Sequence, residues 1–327
     1  MPNDLHCALV TGGTGFIGRR LVDRLLASHG KVRVLGRRPV VRWRSDPRVE
    51  HIRADISEPG VVQASLEGIS TVYHLAAATD GDADYYNRVT VRASECLLAS
   101  MAAMGGGRVI FVSSLSVYDS LAMRDGCVVD ETFQLERKPG ERGLYARAKI
   151  EAEDVARSYL SHSQVRVTIA RPGLVYGPGT KNVLNGAAIV VRGRLLITTG
   201  NPKKRLPLIF VDDLAEALIA LAAKPEAAGN IYNVIGPDMP TVSDFMRSYR
   251  EHSGDARPVI DVPVRRLIPM LRGADGAASM IGRRLNLAKV ASRLASGATF
   301  SGERLGRDLQ IELQVGWREG LRRIYSR

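Results

Sequence analysis

A glycine-rich turn near the start of the chain constrains the fold more than any other feature. The sequence TGGTGFIG at 11–18 follows a short apolar run and precedes an amphipathic stretch. Gly12 allows a tight turn, Gly15 lets a pyrophosphate approach the backbone, and Gly18 lets a helix pack closely on a strand. The helix N-terminus then offers unpaired N–H groups to the phosphates. The predicted dinucleotide contacts in this turn are Gly12, Thr14, Gly15, Phe16, Ile17 and Gly18.

Short apolar runs alternate with longer amphipathic stretches over the first 235 residues. Strands are predicted at 7–11, 32–35, 49–53, 71–74, 109–113 and 165–171, and helices at 15–29, 61–66, 84–104, 144–161 and 211–223. Strands buried on both faces have near-continuous apolar runs, and VIFV at 109–112 is one. The pattern predicts an α/β fold built on a doubly wound parallel sheet.

The length of 327 residues fits two domains, and 45% hydrophobic residues suffice for a core. The alternating pattern loosens after Gly177, and 237–327 shows helical patterns without an obvious strand ladder. We predict a dinucleotide-binding domain at 1–176, to which 205–236 returns. The rest, 237–327 with 177–204, is predicted to form a smaller, mostly helical substrate domain.

Composition excludes several classes of protein. No apolar stretch approaches the ~20 residues that cross a bilayer, and the N-terminus lacks a basic region followed by a long apolar run. The chain is therefore interpreted as complete and cytoplasmic. Cys7, Cys96 and Cys127 lie far apart, without a Cys-x-x-Cys pair or a histidine cluster, so we expect isolated thiols, no disulfide and no metal site.

The net charge of +12 is concentrated near the C-terminus. Residues 264–327 contain 13 Lys or Arg and 5 Asp or Glu, an excess of 13 − 5 = +8. Nucleic acid, an anionic membrane surface or an acidic partner would each suit this charge. The arginines alternate with Leu, Ile and Ala at helical spacing and lack interleaved aromatics. This spacing favours a solvated basic face and no nucleic-acid partner.

Two arginines follow the second predicted strand. An acid at this place would bind the ribose 2′-hydroxyl of NAD, whereas arginine suits the 2′-phosphate of NADP. The chain has Arg37 and Arg38 here and no acid before Asp46. These residues favour NADP(H), with NAD(H) as the alternative cofactor and ordinary surface charge as the alternative interpretation.

Tyr145 and Lys149 are four residues apart in a predicted helix and share one face. A phenol is a poor acid or base at neutral pH, but a neighbouring ammonium and a cationic nicotinamide ring favour the phenolate. Ser114 follows a buried predicted strand and could hydrogen-bond a substrate oxygen beside Tyr145. Taken alone, such a Tyr–Lys pair is more often surface decoration than a catalytic group.

Further motifs give the chain a resemblance that spans nearly its whole length. In order, these are TGGTGFIG (11–18), ADI (54–56), HLAA (74–77), VSS (112–114), VY (117–118), YARAK (145–149), RP (171–172), VYGP (175–178), FVDD (210–213) and YNV (232–234). The sequence resembles the extended short-chain dehydrogenase/reductase family, also called the NAD-dependent epimerase/dehydratase superfamily. That family includes nucleotide-sugar epimerases, dihydroflavonol reductases and 3β-hydroxysteroid dehydrogenases.

The resemblance implies a Rossmann-type sheet and a role for several matching residues. The implied catalytic set is Ser114, Tyr145 and Lys149. Beyond the glycine turn and the two arginines, the implied cofactor contacts are Asp55 and Ile56 at the adenine, Leu75 and Ala76 at the ribose, Pro172 at the nicotinamide, and further Ala77, Val175, Tyr145 and Lys149. The expected substrate-pocket residues are Ala78, Ser116 and Leu174.

Departures from the family pattern bear on the substrate. Thr90 stands where family members often have Asn. Whether this chain retains the role of that Asn is therefore in doubt. Leu174 and Leu206 replace an Asn and an Arg that reach the diphosphate in sugar epimerases, although Arg205 is adjacent. Dehydratases have Asp-Glu after the active-site hydroxyl residue, whereas Ser114 is followed by Leu-Ser. The acid for elimination chemistry is therefore missing.

Three functions remain open from the sequence. The preferred one is an NAD(P)-dependent oxidoreductase that transfers hydride between the cofactor and a ketone or secondary alcohol on a bulky lipidic or polyketide-like small molecule. The alternatives are a nucleotide-sugar epimerase or 4-ketoreductase, and a non-catalytic cofactor-binding regulator. The apolar segment 262–271 is expected to cover the active site, with ordinary helix packing as the alternative. A homodimer is an open expectation.

Overall fold

The computed structural model describes residues 7–28, 30–39, 41–58, 60–180, 182–198, 201–280, 291 and 296–326. The strands are β1 (Cys7–Thr11), β2 (Lys31–Leu35), β3 (Val49–Ile52), β4 (Ile69–His74), β5 (Gly107–Val112), β6 (Val128–Val129), β7 (Val165–Pro172), β8 (Leu174–Tyr176), β9 (Ala188–Val191), β10 (Leu195–Thr198), β11 (Leu208–Phe210), β12 (Ile231–Val234), β13 (Val259–Asp261) and β14 (Thr299–Phe300). The α-helices are α1 (Phe16–Ala27), α2 (Val61–Leu66), α3 (Ala83–Tyr86), α4 (Ala93–Ala103), α5 (Leu144–Ser158), α6 (Val211–Ala223), α7 (Val242–Ser253), α8 (Val264–Met280), α9 (Glu303–Leu309) and α10 (Trp317–Tyr325).

Seven strands form one parallel sheet in the order β12-β7-β5-β4-β1-β2-β3. The strand order reverses direction between β1 and β4, so the sheet is doubly wound, as the alternating pattern predicts. Helices α1 and α6 cover one face, and α2, α4 and α5 cover the other. The Rossmann-type fold is therefore confirmed.

Apolar burial explains why these segments form a sheet. Every residue of β5 from Arg108 onward is buried, and Val10 of β1 and Val72 of β4 have no exposed surface. Leu21 and Leu218 pack on one face of the sheet, and Leu97 packs on the other. Burial of each such side chain contributes about 1.5–3 kcal/mol to stability. The two apolar layers therefore hold the strands, and with them the carboxyl ends of the strands, in fixed positions.

The predicted helix at 84–104 differs in the structure. It divides into α3, a π-helix at Asn87–Arg92, and α4. A π-helix has wider turns than an α-helix, with i to i+5 hydrogen bonds, and is often found at functional sites. The apolar period of 3.6 residues does not signal this wider turn, so sequence reasoning missed it.

The part of the chain after Gly177 contains more strands than expected. Strands β9, β10 and β13 form a three-stranded sheet, and β14 pairs in parallel with β6. Sequence reasoning missed β13 and β14, because they are only three and two residues long and pair with segments outside 237–327. The division of the chain into two domains stays a prediction.

A separate apolar cluster lies beside the parallel sheet. Its buried members include Leu206, Phe245, Trp317 and Leu321.

Several arginines of the basic region bind acids close by in sequence, such as Arg304 with Asp308. Residues 1–6 and the basic residues at 283, 284, 289 and 293 lie outside the described part of the chain. None of the described helices has the length and apolar character needed to cross a bilayer.

Candidate active site

The glycine turn closes tightly between β1 and α1. Gly12 has φ of +70°, and a Cβ there would lie 3.0 Å from the backbone nitrogen of Ala76. A Cβ on Gly18 would lie 2.3 Å from the Gly12 carbonyl oxygen, so α1 rests directly on the turn. A Cβ on Gly15 would meet only the Gly12 carbonyl oxygen within 4 Å, which leaves its outer side open. The turn fits the pyrophosphate of a dinucleotide at the N-terminus of α1.

His74 joins the carboxyl ends of β1 and β4. Its Nδ1 lies 2.9 Å from Thr11 Oγ1, and its Nε2 lies 3.0 Å from Ser94 Oγ. Burial, together with the nearby positive charge of Lys149, lowers the pKa of His74 to about 3. The imidazole is therefore neutral at physiological pH and links the two strands by hydrogen bonds. The adjacent loop of Leu75 to Ala78 starts from this fixed point.

Thr90 has a structural role at the position where the family often has Asn. Its Oγ1 accepts a hydrogen bond from the backbone N–H of Ala78 at 2.9 Å, and its carbonyl oxygen accepts one from Ser94 Oγ at 2.6 Å. Thr90 lies in the π-helix and is 2% exposed. It therefore holds the end of the loop at 75–78, which contains four of the sequence-predicted site residues.

The residues expected at the adenosine end follow β2 and β3. Arg37 and Arg38 are exposed after β2, and the Arg37 guanidinium lies 5.2 Å from the centre of the Tyr85 ring. Asp55 Oδ1 accepts hydrogen bonds from the backbone and side chain of Ser57. Ile56 is buried. The structure therefore places these residues at the carboxyl ends of neighbouring strands, at the edge where the glycine turn lies.

Ser114 and Tyr145 meet beyond the end of β5. Ser114 precedes a short 3-10 turn, and its Oγ accepts a hydrogen bond from the backbone N–H of Ser116 at 3.1 Å. Tyr145 lies in the first turn of α5 and is 39% exposed. Burial of its phenol end raises the pKa of Tyr145, and a hydrogen bond with Ser114 partly offsets this. In the protein alone, Tyr145 is therefore protonated at neutral pH.

Lys149 lies one turn after Tyr145 on the same helix face. Its Nζ donates a hydrogen bond to the carbonyl oxygen of Val112 at 2.8 Å. Burial lowers the pKa of Lys149 to about 8, against the opposing effect of the Glu153 carboxylate. Sequence reasoning placed this ammonium beside the Tyr145 phenol, whereas the structure ties it to the end of β5.

A buried ion pair that sequence reasoning missed supports this helix face. Glu153 binds the Arg171 guanidinium through Nε, with N–O distances of 3.1 and 3.2 Å, and also accepts a hydrogen bond from Ser113 Oγ. Arg171 Nη1 donates to the Tyr118 hydroxyl at 2.8 Å, and that hydroxyl donates to Asn233 Oδ1 at 2.7 Å. The spacing of 145, 149 and 153 by four residues is the signal that could have found Glu153.

A cavity of about 500 Å³ opens in front of Ser114 and Tyr145. Its lining residues are Ser114, Leu115, Ser116, Tyr118, Ser120, Met123, Arg142, Tyr145, Pro172, Gly173, Leu174, Val175, Asn185, Gly186, Lys204, Leu206, Pro207, Ser296, Ala298 and Phe300. The cavity brings together the expected Ser116, Leu174, Pro172 and Val175, whereas Ala78 is not among its lining residues. Segment 262–271, expected to cover the site, contributes no lining residue, because 296–300 forms that wall instead.

Three polar side chains enter this cavity from segments that sequence reasoning did not consider. Arg142 is fixed by Glu136 and by the carbonyl oxygens of Ser116 and Tyr118. Lys204 lines the wall, and burial lowers its pKa. Asn185 lies in the loop before β9.

Arg205 was considered as a replacement for the missing diphosphate anchor. It does not line the cavity and donates to the Met239 carbonyl oxygen instead, at 3.0 Å. The anchor positions in this cavity are apolar at Leu174 and Leu206, with Lys204 and Asn185 nearby.

Several known proteins are similar to this chain. UDP-glucuronic acid decarboxylase 1 of Arabidopsis thaliana is 32% identical over 230 residues, which cover 65% of this chain and 51% of that protein. A 3 beta-hydroxysteroid dehydrogenase/Delta 5-->4-isomerase of Mycobacterium tuberculosis is 28% identical over 272 residues, which cover 79% of this chain and 72% of that protein. The chain thus spans about half the length of the decarboxylase.

A solved structure shares the fold over almost the whole chain. MoeE5 in complex with UDP-glucuronic acid and NAD superposes with a TM-score of 0.74 at 24% identity, covering 98% of this chain and 97% of MoeE5. The sequence model described as "NAD dependent epimerase/dehydratase family" matches residues 8–234. The glycine turn, the doubly wound sheet and this match agree with the extended short-chain dehydrogenase/reductase motifs, and the chain belongs to the NAD-dependent epimerase/dehydratase family.

Proposed function

We propose that the protein is an NAD(P)-dependent oxidoreductase that interconverts a ketone and a secondary alcohol on a bulky, largely apolar small molecule. The observation that carries this proposal is the cavity, in which two hydroxyl groups, Ser114 and Tyr145, face a wall that contains Leu174, Leu206 and Phe300. Its volume of about 500 Å³ suits a ligand of drug size, within the range of about 300–1,000 Å³ for such sites. The similarity to a 3 beta-hydroxysteroid dehydrogenase supports the same substrate class.

Ser114, Tyr145 and Lys149 have separate roles in this proposal. When bound, the nicotinamide ring supplies the hydride in reduction and accepts it in oxidation. Ser114 Oγ holds the substrate oxygen by a hydrogen bond. Tyr145 Oη gives its proton to that oxygen as the carbonyl becomes a hydroxyl, and takes the proton back in the reverse direction. Lys149, one turn further along the same helix face, would supply positive charge and a donor for the cofactor ribose.

The raised pKa of Tyr145 bears on the direction of proton transfer. A phenol that is protonated at neutral pH is ready to donate, so the protein alone is poised for reduction of a ketone. Oxidation of an alcohol requires the phenolate. A cationic ring bound in front of Tyr145 would favour that form through its charge.

The proposed cofactor is NADP(H), with NAD(H) as the alternative. Arg37 and Arg38 are exposed at the end of β2 and could pair with a 2′-phosphate. Arg37 also lies over the Tyr85 ring, which leaves its guanidinium edge available for hydrogen bonds. The family name and the solved relative refer to NAD, which supports NAD(H) as the alternative.

A nucleotide-sugar substrate is the second candidate, and Lys204 with Asn185 favours it. Both side chains line the cavity, and an ammonium with an amide could bind a diphosphate. The relatives that act on or bind UDP sugars by name point the same way. We favour the apolar substrate because Leu174 and Leu206 occupy the wall where two further anchors would otherwise stand.

Calorimetry and turnover distinguish the two candidates. The protein with NADP bound is titrated with UDP and dTDP, and NADPH oxidation is followed with bulky cyclic ketones such as 3-ketosteroids. We expect ketone-dependent oxidation and little or no nucleotide binding. Micromolar binding of either nucleoside diphosphate, without ketone reduction, would replace the first candidate by the second.

A further inference from the structure

The three-stranded sheet has one face covered with aliphatic side chains and not buried by the rest of the protein. Register and strand alternation place Ile189, Ile197 and Ile260 in one row across β9, β10 and β13. Ile189 is 53% exposed and Ile260 is 49% exposed. Val191 and Leu195 form the next pair on the same face, two residues after Ile189 and two residues before Ile197, and are half-buried. The opposite face contains Leu196, Ala188 and Thr198, which are buried against the protein, and its edge-strand members Val190 and Val259 are 40% and 38% exposed.

This aliphatic face, formed by Ile189, Val191, Leu195, Ile197 and Ile260, has positive charge at its edge. Arg192 and Arg194 form the turn between β9 and β10, and both are exposed. Neither arginine side chain makes a hydrogen bond or an ion pair with any residue in the described ranges, although the backbone N–H of Arg194 donates to the Val191 carbonyl oxygen across the turn. The five residues of the aliphatic face include no Asp or Glu. The positive charge at the edge of the face is therefore not neutralised by an acid on the face itself.

The helix that follows β13, α8, also combines incompletely buried apolar residues with exposed arginines. The apolar residues Val264, Leu267, Ile268 and Leu271 of α8 recur at helical spacing and are only half-buried. Met270 is 63% exposed, and Arg266 and Arg272 are exposed beside it. No side chain of α8 is buried between 266 and 276. A helix of this kind, with apolar and basic residues and little burial, is typical of elements that lie on membrane surfaces.

We propose that the aliphatic face and α8 dock the protein on the surface of an anionic lipid bilayer. Contiguous exposed aliphatic residues mark an interaction surface. The positive charge of the flanking arginines favours an anionic partner. Anionic headgroups neutralise Arg192 and Arg194 while Ile189 and Ile260 enter the interface. A second copy of this chain is a poorer occupant, because each copy has a net charge of +12 and the same basic edge.

The docking surface lies next to the cavity in the chain. Asn185 and Gly186 of the cavity wall directly precede β9, and Lys204 follows β10. A bilayer bound to the aliphatic face is therefore close to the segments that form the cavity. This location suits an apolar substrate taken from a membrane, although docking itself does not depend on the proposed reaction.

Vesicle co-sedimentation of the full chain with NADP tests the proposal. Vesicles of phosphatidylcholine are compared with vesicles that also contain phosphatidylglycerol. We expect binding to the anionic vesicles only, with loss at high salt because salt screens exposed charges. The double variants Arg192→Gln/Arg194→Gln and Ile189→Gln/Ile260→Gln should each lose about tenfold or more in vesicle affinity. Both basic residues and the burial of apolar residues contribute to binding at a membrane interface.

A matched control uses basic residues at the β2–β3 edge of the parallel sheet. Lys31 and Arg44 are exposed, at the start of β2 and between β2 and β3. Lys31→Gln/Arg44→Gln should bind vesicles as the parent does. Thermal unfolding and NADP binding should be unchanged in all three variants, because the altered side chains are exposed.

Three results would overturn the proposal. The first is no binding of the parent protein to anionic vesicles. The second is equal loss of binding in the control and the docking variants. The third is a parent dimer that Ile189→Gln/Ile260→Gln converts to a monomer without any change in vesicle binding, since a second copy would then cover the aliphatic face. Ketone reduction is measured separately, so its absence bears on the proposed function alone.

Discussion

Glu153 and Arg171 form an ion pair with no more than 1% of either side chain exposed, between the helix that contains Tyr145 and Lys149 and the strand that leads to Pro172. Two charges in such a place are costly to remove from water, and each depends on the other. The pair also has neutral partners, Ser113 on the carboxylate and Tyr118 on the guanidinium. It therefore fixes the orientation of the α5 face against the sheet.

Removal of one partner should destabilise the protein strongly. Arg171→Leu leaves the Glu153 carboxylate buried without its cation, and we expect a loss of about 3–5 kcal/mol in the free energy of unfolding by urea. Arg147→Leu breaks an exposed ion pair with Glu151 on the same helix and should cost about 0–1 kcal/mol. Similar losses in the two variants would show that the buried pair contributes little.

Lys149 should make stability depend on alkaline pH. Its pKa is about 8 in the folded protein and about 10.4 in an unfolded chain, so the unfolded state binds the proton more tightly between these values. Unfolding free energy should therefore rise from pH 8 to pH 10 through Lys149, relative to a Lys149→Met variant. Lys138→Met, at an exposed lysine, should follow the parent curve. A constant difference between parent and Lys149→Met would contradict the prediction.

Tyr145→Phe should abolish turnover and leave cofactor binding nearly unchanged. The substitution removes only the hydroxyl that exchanges a proton with the substrate, and we expect kcat to fall by about 10²–10⁴-fold. Tyr159→Phe, at the end of the same helix, is the matched control and should keep its activity. Steady-state kinetics and calorimetric cofactor titration give the two readouts. Full activity of Tyr145→Phe would show that Tyr145 is not the proton donor.

Arg37→Asp should weaken NADPH far more than NADH. The change removes a guanidinium that could pair with the 2′-phosphate and introduces a charge that repels it. Arg44→Asp reverses another exposed charge between β2 and β3 and should leave the ratio of the two dissociation constants unchanged. Fluorescence titration with both cofactors measures that ratio. Equal affinity of the parent for NADH and NADPH would refute the assignment of Arg37.

Thr90→Val should loosen the loop at 75–78. The variant keeps the shape of the side chain but removes the acceptor for the Ala78 N–H, and a buried donor without a partner costs about 1–3 kcal/mol. Thr90→Ser keeps the hydroxyl and should remain close to the parent. Hydrogen exchange of the Ala78 amide, read together with thermal unfolding, checks the prediction. Unchanged protection in Thr90→Val would show that the bond is not needed.

The parallel sheet was predictable from sequence because its strands are buried on both faces. Strand β1 and helices α2 and α6 have the predicted bounds, and the other strands of the sheet that were predicted shift by one or two residues. The missing member, β12, has only four residues and pairs with β7, about 60 residues earlier in the chain. Strands β9, β10 and β13 were also missed and are equally short, with four, four and three residues.

The candidate site was predictable where a residue has a local signature. The glycine turn and the spacing of Tyr145 and Lys149 can be found by pattern alone. The four-residue spacing places Glu153 on the face of Tyr145 and Lys149, but its pairing with Arg171 required the position of β7 against α5. Asn185 and Lys204 required the path of the chain around the cavity. These contacts join residues that are distant in sequence, so no short-range pattern could show them.

The wall of the cavity made by 296–300 joins two parts of the chain that are synthesised far apart. Gly297 donates its backbone N–H to Asp125, 172 positions earlier, and β14 adds to β6. Contacts of such long sequence separation form late in folding, because closing a long loop has an entropic cost. A chain still emerging from the ribosome can complete the cofactor-binding sheet before this wall exists. We therefore expect this wall of the cavity to form after the seven-stranded parallel sheet.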